Sequence, residues 1–223
     1  MNHPKKLLFI GNSATYVNDL PATLVSLCEK RGISMTQTQI VKGGRFLKTH
    51  AQEPAVYEEI AKGYDVVFFQ ENGNAITTAE EREKCLAGCK QMVDAAQKVG
   101  SQCWFYVRPP YGNDLAGINS FDQCILFDRH FTPAARQWNM GCAYINRAFA
   151  EAIKHHKIPL WGPDNAHTGI QGAYLAVCTF YASLFGRTAT ELDAAYGLSQ
   201  EDATLLQQIA DKIALEGIIP WAD

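Results

Sequence analysis

The sequence predicts an α/β protein in which a parallel β-sheet is covered by helices on both faces. Short apolar runs typical of buried strands alternate along the chain with longer amphipathic segments, and this alternation is typical of parallel sheets. We find no linker, internal repeat or low-complexity segment. The 223 residues suffice for one domain with a full core, so we expect a single domain over residues 1–223.

The chain begins with a strand and a helix. Residues 5–10 contain the apolar run LLFI, which predicts a buried strand. A polar loop follows. Asp19 as a cap and Pro21 in the first turn then predict a helix that reaches about Lys30 and stops before Gly32.

Two further strands are expected in the first third of the chain. Residues 34–41 alternate loosely between polar and apolar side chains and predict the second strand, which Gly43 and Gly44 close. A short helix is expected over residues 54–62. The apolar run VVFF in residues 65–70 predicts a third strand, buried on both faces.

A long helix and a fourth strand come next. Thr78 and Glu81 form a capping-box pattern that opens the helix, and Gly100 ends it. Residues 102–107 predict the fourth strand. Residues 108–121 are rich in Pro, Gly and Asn and predict a loop.

The last part of the chain contains three predicted helices and one strand. Helical patterning covers about residues 132–156, and residues 157–161 predict a short fifth strand. Residues 169–185 are apolar nearly all round, which predicts a buried helix that Gly186 closes. Residues 200–215 predict a final helix.

Composition and charge exclude some classes of function. The 47% hydrophobic and 19% charged residues are ordinary for a folded protein. A net charge of −3 provides no basic field for nucleic acid or an anionic membrane, so we expect neither as a partner. The four-residue apolar run near the start is too short for a signal peptide or a membrane span. A leader removed before residue 1 stays an open alternative.

The cysteines indicate the compartment. Their number, seven, is odd, and they show no zinc-ligand spacing. We therefore expect reduced, largely buried thiols and a cytoplasmic protein.

Candidate site residues follow four of the five predicted strands. Ser13 comes after the first, Gly43 and Gly44 after the second, and Asn72 after the third; Asp164-x-x-His167 comes after the fifth. Ligands of such sheets bind at the carboxyl ends of the strands, so these groups are expected at one rim. A serine needs a base to become nucleophilic, and the base needs an orienting carboxylate. Ser13, His167 and Asp164 therefore predict a hydrolytic triad.

These residues resemble the four motif blocks of a known family, the SGNH hydrolases or GDSL-like esterases and lipases. The blocks are Gly11-Asn12-Ser13, Gly44, Asn72 and Asp164-x-x-His167. The resemblance spans the whole chain and implies a flavodoxin-like, three-layer α/β/α fold with a five-stranded parallel sheet. It also implies ester hydrolysis through an acyl-enzyme.

The resemblance assigns a role to each matching position. Ser13 matches the nucleophile, His167 the base and Asp164 its orienting acid. The oxyanion hole would consist of the Ser13 amide, the Gly44 amide and the Asn72 side chain.

Two departures from the family pattern leave alternatives open. The first block reads Gly-Asn-Ser rather than Gly-Asp-Ser. In the third block, Gln70 replaces a glycine, so either Gln70 or Asn72 could supply the side-chain donor. We favour Asn72 because it lies further towards the carboxyl end of the strand. In the second block, Gly43 could take the place of Gly44.

Each site residue also has a purely structural interpretation. Ser13 and Asp164 could be turn residues, and His167 could cap the following helix. Gly43-Gly44 and Asn72-Gly73 are also turn signals. Tyr111 and Trp161 are candidates for substrate binding, as is Gln70, but simple packing would explain the two aromatic residues equally well.

We therefore expect an esterase that acts on a small-molecule or carbohydrate ester with a short acyl group and needs no metal or organic cofactor. One alternative is a catalytically silent carbohydrate-binding protein on the same fold. A phosphate- or nucleotide-binding module with Gly11 in an anion cradle is disfavoured, because the sequence has no Walker loop or Gly-x-Gly-x-x-Gly motif.

Overall fold

The computed structural model describes residues 6–222 and contains a five-stranded sheet in which every pairing is parallel. Its strand order is β2-β1-β3-β4-β5. The strands are β1 (Lys6–Gly11), β2 (Thr36–Val41), β3 (Val66–Phe69), β4 (Gln102–Val107) and β5 (Gly141–Tyr144). Helices cover both faces, which confirms the predicted three-layer α/β/α class. Lys5, placed in the first strand by the sequence, lies outside the described residues.

The helices divide between the two faces of the sheet. In chain order they are α1 (Ser13–Tyr16), α2 (Leu20–Lys30), α3 (Leu47–His50), α4 (Pro54–Ile60), α5 (Ala79–Lys98), α6 (Ser120–Gln137), α7 (Ile145–His155), α8 (Ile170–Phe185) and α9 (Gln200–Ala214). Helices α2, α7, α8 and α9 pack on one face. Helices α3 to α6 pack mainly on the other.

Alternating side chains of the central strands fill both cores. Leu7 and Phe9 of β1 enter the core under α2 and α8, whereas Leu8 and Ile10 enter the opposite core. Phe9 stacks on Phe68 of β3 with ring centroids 4.8 Å apart. The prediction of a buried strand is confirmed for β1, and the prediction of a strand buried on both faces is confirmed for β3.

Local signals set most helix ends where the sequence predicts them. Pro21 lies in the first turn of α2. The Thr78 hydroxyl accepts a hydrogen bond of 3.1 Å from the Glu81 amide and caps α5. Gly186 ends α8 in a left-handed conformation, with φ of 61°, which glycine adopts without strain.

The position of the fifth strand is a correction. Residues 157–161 do not form a strand; they run outside the sheet, and Trp161 makes an isolated bridge with Thr168. The strand is instead β5, inside the segment for which the sequence predicts a helix, and it passes directly into α7 at Ile145. Asn139, with φ of 53°, and Gly141 are the local signals of this break.

The loop after β4 and the helix that follows also differ in extent. Helix α6 begins at Ser120, where the Asn119 side chain caps it by accepting from the Asp122 amide at 2.9 Å, and not near residue 132. Pro133 lies inside this helix. Because proline usually ends or kinks a helix, the sequence did not indicate that the helix continues through this position.

The strand order sets the order of residues along the carboxyl rim. Gly44 follows β2, Ser13 follows β1, Asn72 comes three residues after the end of β3, and Arg108 directly follows β4. In space the rim therefore runs Gly44, Ser13, Asn72, Arg108.

None of the helices within residues 6–222 combines the length and apolarity needed to cross a bilayer. All seven cysteines are free thiols, and six of them are buried.

Candidate active site

Asp164 and His167 form a hydrogen-bonded pair within one short loop. Asp164 Oδ2 lies 2.6 Å from His167 Nδ1. Because a carboxylate only accepts, the ring proton resides on Nδ1 and leaves the Nε2 lone pair free to act as a base. Asp164 Oδ1 accepts from the Ala166 and His167 amides, each at 3.0 Å. These bonds, above all the one from the imidazole, hold the pKa of Asp164 well below its ordinary value.

Backbone hydrogen bonds close the loop of residues 160–169 on itself. Gly162 N–H donates to His167 O at 2.9 Å, and Gly169 N–H donates to Leu160 O at 2.9 Å. Although residues 157–161 are not a strand, this closed loop still presents His167 towards the carboxyl rim.

Three contacts attach this acid–base loop to the rest of the site. Trp161 Nε1 donates to Pro110 O at 2.9 Å, and Gly112 N–H donates to Asn165 O at 2.8 Å. The third contact comes from the segment that follows Ser13, where Asn18 Nδ2 donates to Thr168 O at 2.7 Å. The fold thus brings the loop to Ser13 through side chains and loop backbone rather than through the sheet.

Ser13 is the first residue of α1, immediately beyond the turn after β1. Asn12 caps this helix: its Oδ1 accepts from the Ala14 amide at 3.1 Å, and its Nδ2 donates to Arg45 O at 3.0 Å. Gly11 permits the close approach of β3, since a Cβ at this position would lie 2.7 Å from Gln70 Oε1. The asparagine of the Gly-Asn-Ser block therefore fixes the serine turn.

Ser13 and His167 line the same small pocket, with a volume of about 260 Å³. Gly44 and Asn72 line it as well. Within residues 6–222, no hydrogen bond joins Ser13 Oγ to His167. Hydrogen bonds of this kind are often long in unliganded enzymes and tighten when substrate binds.

Each of the three predicted oxyanion donors has an N–H hydrogen without an acceptor among the described residues. Among the described residues, the backbone amides of Ser13 and Gly44 donate no hydrogen bond. Asn72 Nδ2 donates one hydrogen to Gly44 O at 2.6 Å, which leaves its second hydrogen available. Gly44 has φ of 68°, a left-handed conformation that favours glycine; Gly43 does not share it.

Gln70 lies beneath the pocket rather than on its wall. Its side chain is buried, and Oε1 accepts from the Asn12 amide at 2.9 Å and from the Thr15 hydroxyl at 3.0 Å. Its Nε2 donates to Glu71 O. The structure therefore places Gln70, a predicted substrate-binding residue, where it holds the serine turn.

Glu71 is a buried acid under the oxyanion donors. One oxygen, Oε1, accepts from the Leu47 amide at 3.0 Å and from the Asn72 amide at 2.6 Å. Burial raises the pKa of Glu71 to about 7, and the two amide hydrogen bonds act against this rise. The side chain joins the loop that carries Gly44 to the segment that carries Asn72.

Arg108 is a pocket residue that the sequence analysis missed. Arg108 lines the pocket beside Tyr111, and its guanidinium lies 4.1 Å from the centroid of the Tyr111 ring. A Cβ on Gly73 would lie 2.4 Å from an Arg108 terminal nitrogen, so a side chain there would displace the guanidinium. The available signal was an arginine directly after a strand at the reactive rim.

A second, larger cleft of about 680 Å³ is also lined by His167. Trp161, Asn18 and Asp164 line it. The Trp161 ring also packs against Gly112 and Phe149, so this side chain both packs and lines a cleft. Another cavity of about 580 Å³ lies beside Ser101, where the strands begin, away from Ser13.

Residues 6–222 contain no cluster of three or more His, Cys, Asp or Glu side chains that could hold a metal ion. The pocket at the rim contains a serine, an imidazole with a bound carboxylate, an arginine and N–H groups of the predicted oxyanion donors.

The fold is shared with proteins of known structure. No protein-family profile matches the sequence, and neither does any curated protein. A protein of the DUF4886 family from Bacteroides uniformis superposes with a TM-score of 0.81 at 17% identity, over 96% of this chain and 95% of its own. A protein from Slackia heliotrinireducens, provisionally assigned to the SGNH hydrolases, gives 0.66 at 21% identity, over 80% of this chain and 97% of its own. The acetylxylan esterase Axe2 from Geobacillus stearothermophilus gives 0.65 at 18% identity, over 82% and 95%. At these identities the likeness establishes a common fold, that of SGNH-type hydrolases and acetylxylan esterases.

Proposed function

We propose that the chain is a serine esterase that cleaves carboxylic esters through Ser13, His167 and Asp164. The observation that carries the proposal is the shared pocket. Ser13 and His167 line it together with Gly44 and Asn72, and His167 is oriented by Asp164 at 2.6 Å. The common fold with SGNH-type hydrolases supports this assignment.

The reaction would proceed in two steps. His167 Nε2 takes the hydroxyl proton as Ser13 Oγ bonds to the carbonyl carbon, and Asp164 stabilises the imidazolium. The amides of Ser13 and Gly44 and the free hydrogen of Asn72 Nδ2 hold the oxyanion. The bond to the alcohol oxygen then breaks, and His167 gives its proton to that oxygen. In the second step His167 takes a proton from water as the water oxygen bonds to the acyl carbon. The bond from that carbon to Ser13 Oγ then breaks, the acid leaves, and His167 gives the proton to Oγ.

The two cavities beside His167 suggest how the ester lies. His167 protonates the leaving alcohol, so the alcohol belongs on the side of His167 that opens into the cleft with Trp161. The smaller pocket beside the oxyanion donors would take the acyl group, and a volume of about 260 Å³ suits a short one. A carbohydrate alcohol agrees with the acetylxylan esterases that share the fold.

The test is labelling with a fluorophosphonate probe, together with hydrolysis of p-nitrophenyl acetate. Wild type should be labelled and active, because only an activated serine reacts. Ser13→Ala should lose both properties while its circular dichroism spectrum stays unchanged. A folded Ser13→Ala protein with full activity would show that another residue is the nucleophile. A wild type that is neither labelled nor active would instead favour a silent binding protein.

A further inference from the structure

Arg108 carries a positive charge at the catalytic rim without a carboxylate partner. The residue is 3% exposed, and its Nε donates to Pro109 O at 2.8 Å. Its other N–H groups donate no hydrogen bond within residues 6–222, and no acidic side chain of this part of the chain pairs with it. A buried charge is costly unless it is paired. The terminal nitrogens of Arg108 are not among the fully buried, unpartnered side-chain atoms of residues 6–222, and Arg108 lines the pocket that contains Ser13.

Packing holds this guanidinium in place before any ligand arrives. The Tyr111 ring lies 4.1 Å away and the Phe127 ring 5.8 Å away, and Gly73 abuts the terminal nitrogen. A donor group fixed in this way loses little conformational entropy when it binds.

Two acidic groups next to pocket residues have other partners. The Glu71 carboxylate accepts from the Leu47 and Asn72 amides, and the Asp164 carboxylate is bound to His167. Neither forms an ion pair with Arg108, so the pocket retains an uncompensated cation.

The position of Arg108 selects one side of the substrate. In the order of the rim, Arg108 lies next to Asn72, on the side away from Gly44. Arg108 and Tyr111 line the small pocket with Ser13 and do not line the cleft with Trp161. If the alcohol leaves through that cleft, the acyl group is the part that faces Arg108.

We infer that the acyl group of the substrate carries a carboxylate that binds to Arg108. The substrate would then be a half-ester of a short dicarboxylic acid. The inference rests on the proposed esterase function, and it specifies the substrate class of the same site. An arginine can hold a carboxylate through two parallel hydrogen bonds, and a pocket of about 260 Å³ admits only a compact chain.

A matched pair of esters tests the inference on the wild-type enzyme. Monomethyl succinate and methyl succinamate differ only in a carboxylate against a carboxamide. For either ester, the bond from the carbonyl carbon to the methoxy oxygen breaks, water supplies the hydroxyl of the acid, and methanol leaves. Because hydrogen bonds between charged partners are strong, kcat/KM should favour monomethyl succinate by roughly 10- to 100-fold. Equal values for the two esters would overturn the inference.

Variants then assign the preference to Arg108. Arg108→Gln should bring the ratio of the two kcat/KM values to about one. Arg108→Lys should retain part of the ratio, because lysine keeps the charge but not the planar fork. Arg136→Gln, which removes an exposed charge outside the site, should keep the wild-type ratio. If Arg108→Gln lowers both kcat/KM values equally, Arg108 acts on the common carbonyl and the inference is wrong.

Direct binding separates this inference from the esterase proposal. Calorimetric titration of the Ser13→Ala protein with succinate, and with succinamate as the neutral control, needs no turnover. If the Ser13→Ala protein binds succinate and the Ser13→Ala/Arg108→Gln double variant does not, the anion site is supported. This holds even if the fluorophosphonate never labels Ser13 in the wild type. Labelled, active enzyme that does not discriminate between the two ligands or the two esters refutes the anion site and leaves the esterase intact.

Discussion

The two halves of the candidate site are built in opposite ways. The acid–base half is local and exposed: Asp164 and His167 lie in one closed loop, with side chains 53% and 33% exposed. The oxyanion half is assembled from segments that follow three strands, and it depends on buried side chains: Asn72 is 5% exposed and Gln70, which lies beneath it, is 1% exposed. We therefore expect a change in the first half to affect the rate alone. Changes at the buried positions of the second half should affect the rate or the stability, depending on the residue.

The largest effect is expected from Asp164→Asn. The neutral asparagine side chain is a weaker partner for His167 Nδ1 than the carboxylate, and it has no negative charge to stabilise the imidazolium. We therefore expect kcat to fall by about 10⁴-fold, as it does when the corresponding acid of other triads is replaced. Since Asp164 is exposed, the thermal unfolding midpoint should stay near that of wild type. The measurement is p-nitrophenyl acetate turnover beside a melting curve. A rate within tenfold of wild type would remove Asp164 from the mechanism.

Asn72→Ala and Gln70→Ala should separate rate from stability in the oxyanion half. Loss of one oxyanion donor lowers kcat by about 10²–10³-fold and leaves KM nearly unchanged, which we expect for Asn72→Ala. Gln70→Ala should lower kcat less. It should instead destabilise the fold by roughly 1–3 kcal/mol, because the buried Asn12 amide loses its acceptor.

Steady-state kinetics and denaturant unfolding of both variants provide the test. If Gln70→Ala shows the large loss of kcat and Asn72→Ala has a near-normal kcat, Gln70 and not Asn72 is the oxyanion donor.

Glu71→Gln should change only how stability depends on pH. The pKa of Glu71 rises from its ordinary 4.5 to about 7 on folding. Its favourable contribution to stability is therefore complete below about pH 4.5 and is lost as the pH rises through 7. Between pH 5 and 8, wild type should lose about 2–3 kcal/mol relative to Glu71→Gln.

Unfolding free energies of both proteins at several pH values would measure this difference. A wild type and a Glu71→Gln variant that change in parallel with pH would show that Glu71 does not titrate in this range.

The sequence predicted the parts of the site that are local in the chain. The Asp164-x-x-His167 spacing is itself the geometry of one turn, so its pairing could be expected without the fold. The central strands were predictable because their apolar runs are continuous. The strand β5 was not, because Gly141–Tyr144 is short and joins α7 without an intervening turn, so the helical pattern of its neighbours covers it.

Contacts between distant segments could not be predicted from the sequence. Because side chains alternate between the two faces of a strand, Gln70 and Asn72 are expected on the same face. This alternation does not reveal that the Gln70 side-chain oxygen is the acceptor for the Asn12 amide. Likewise, Arg108 becomes a site residue only when β4 is placed next to β3. The sequence shows that residue 108 carries a positive charge, but only the structure shows that no carboxylate of residues 6–222 pairs with it.

The attachment of the acid–base loop has a consequence for local unfolding. The Asn12 amide is bound to Gln70 beneath the sheet rim, so its hydrogen exchange should require opening of the sheet itself. The Gly112 amide is bound to Asn165 of the loop, and it should exchange whenever that loop detaches. The histidine side can therefore come away while the serine side stays folded. On heating, catalytic turnover is then expected to cease at a lower temperature than the one at which the sheet melts.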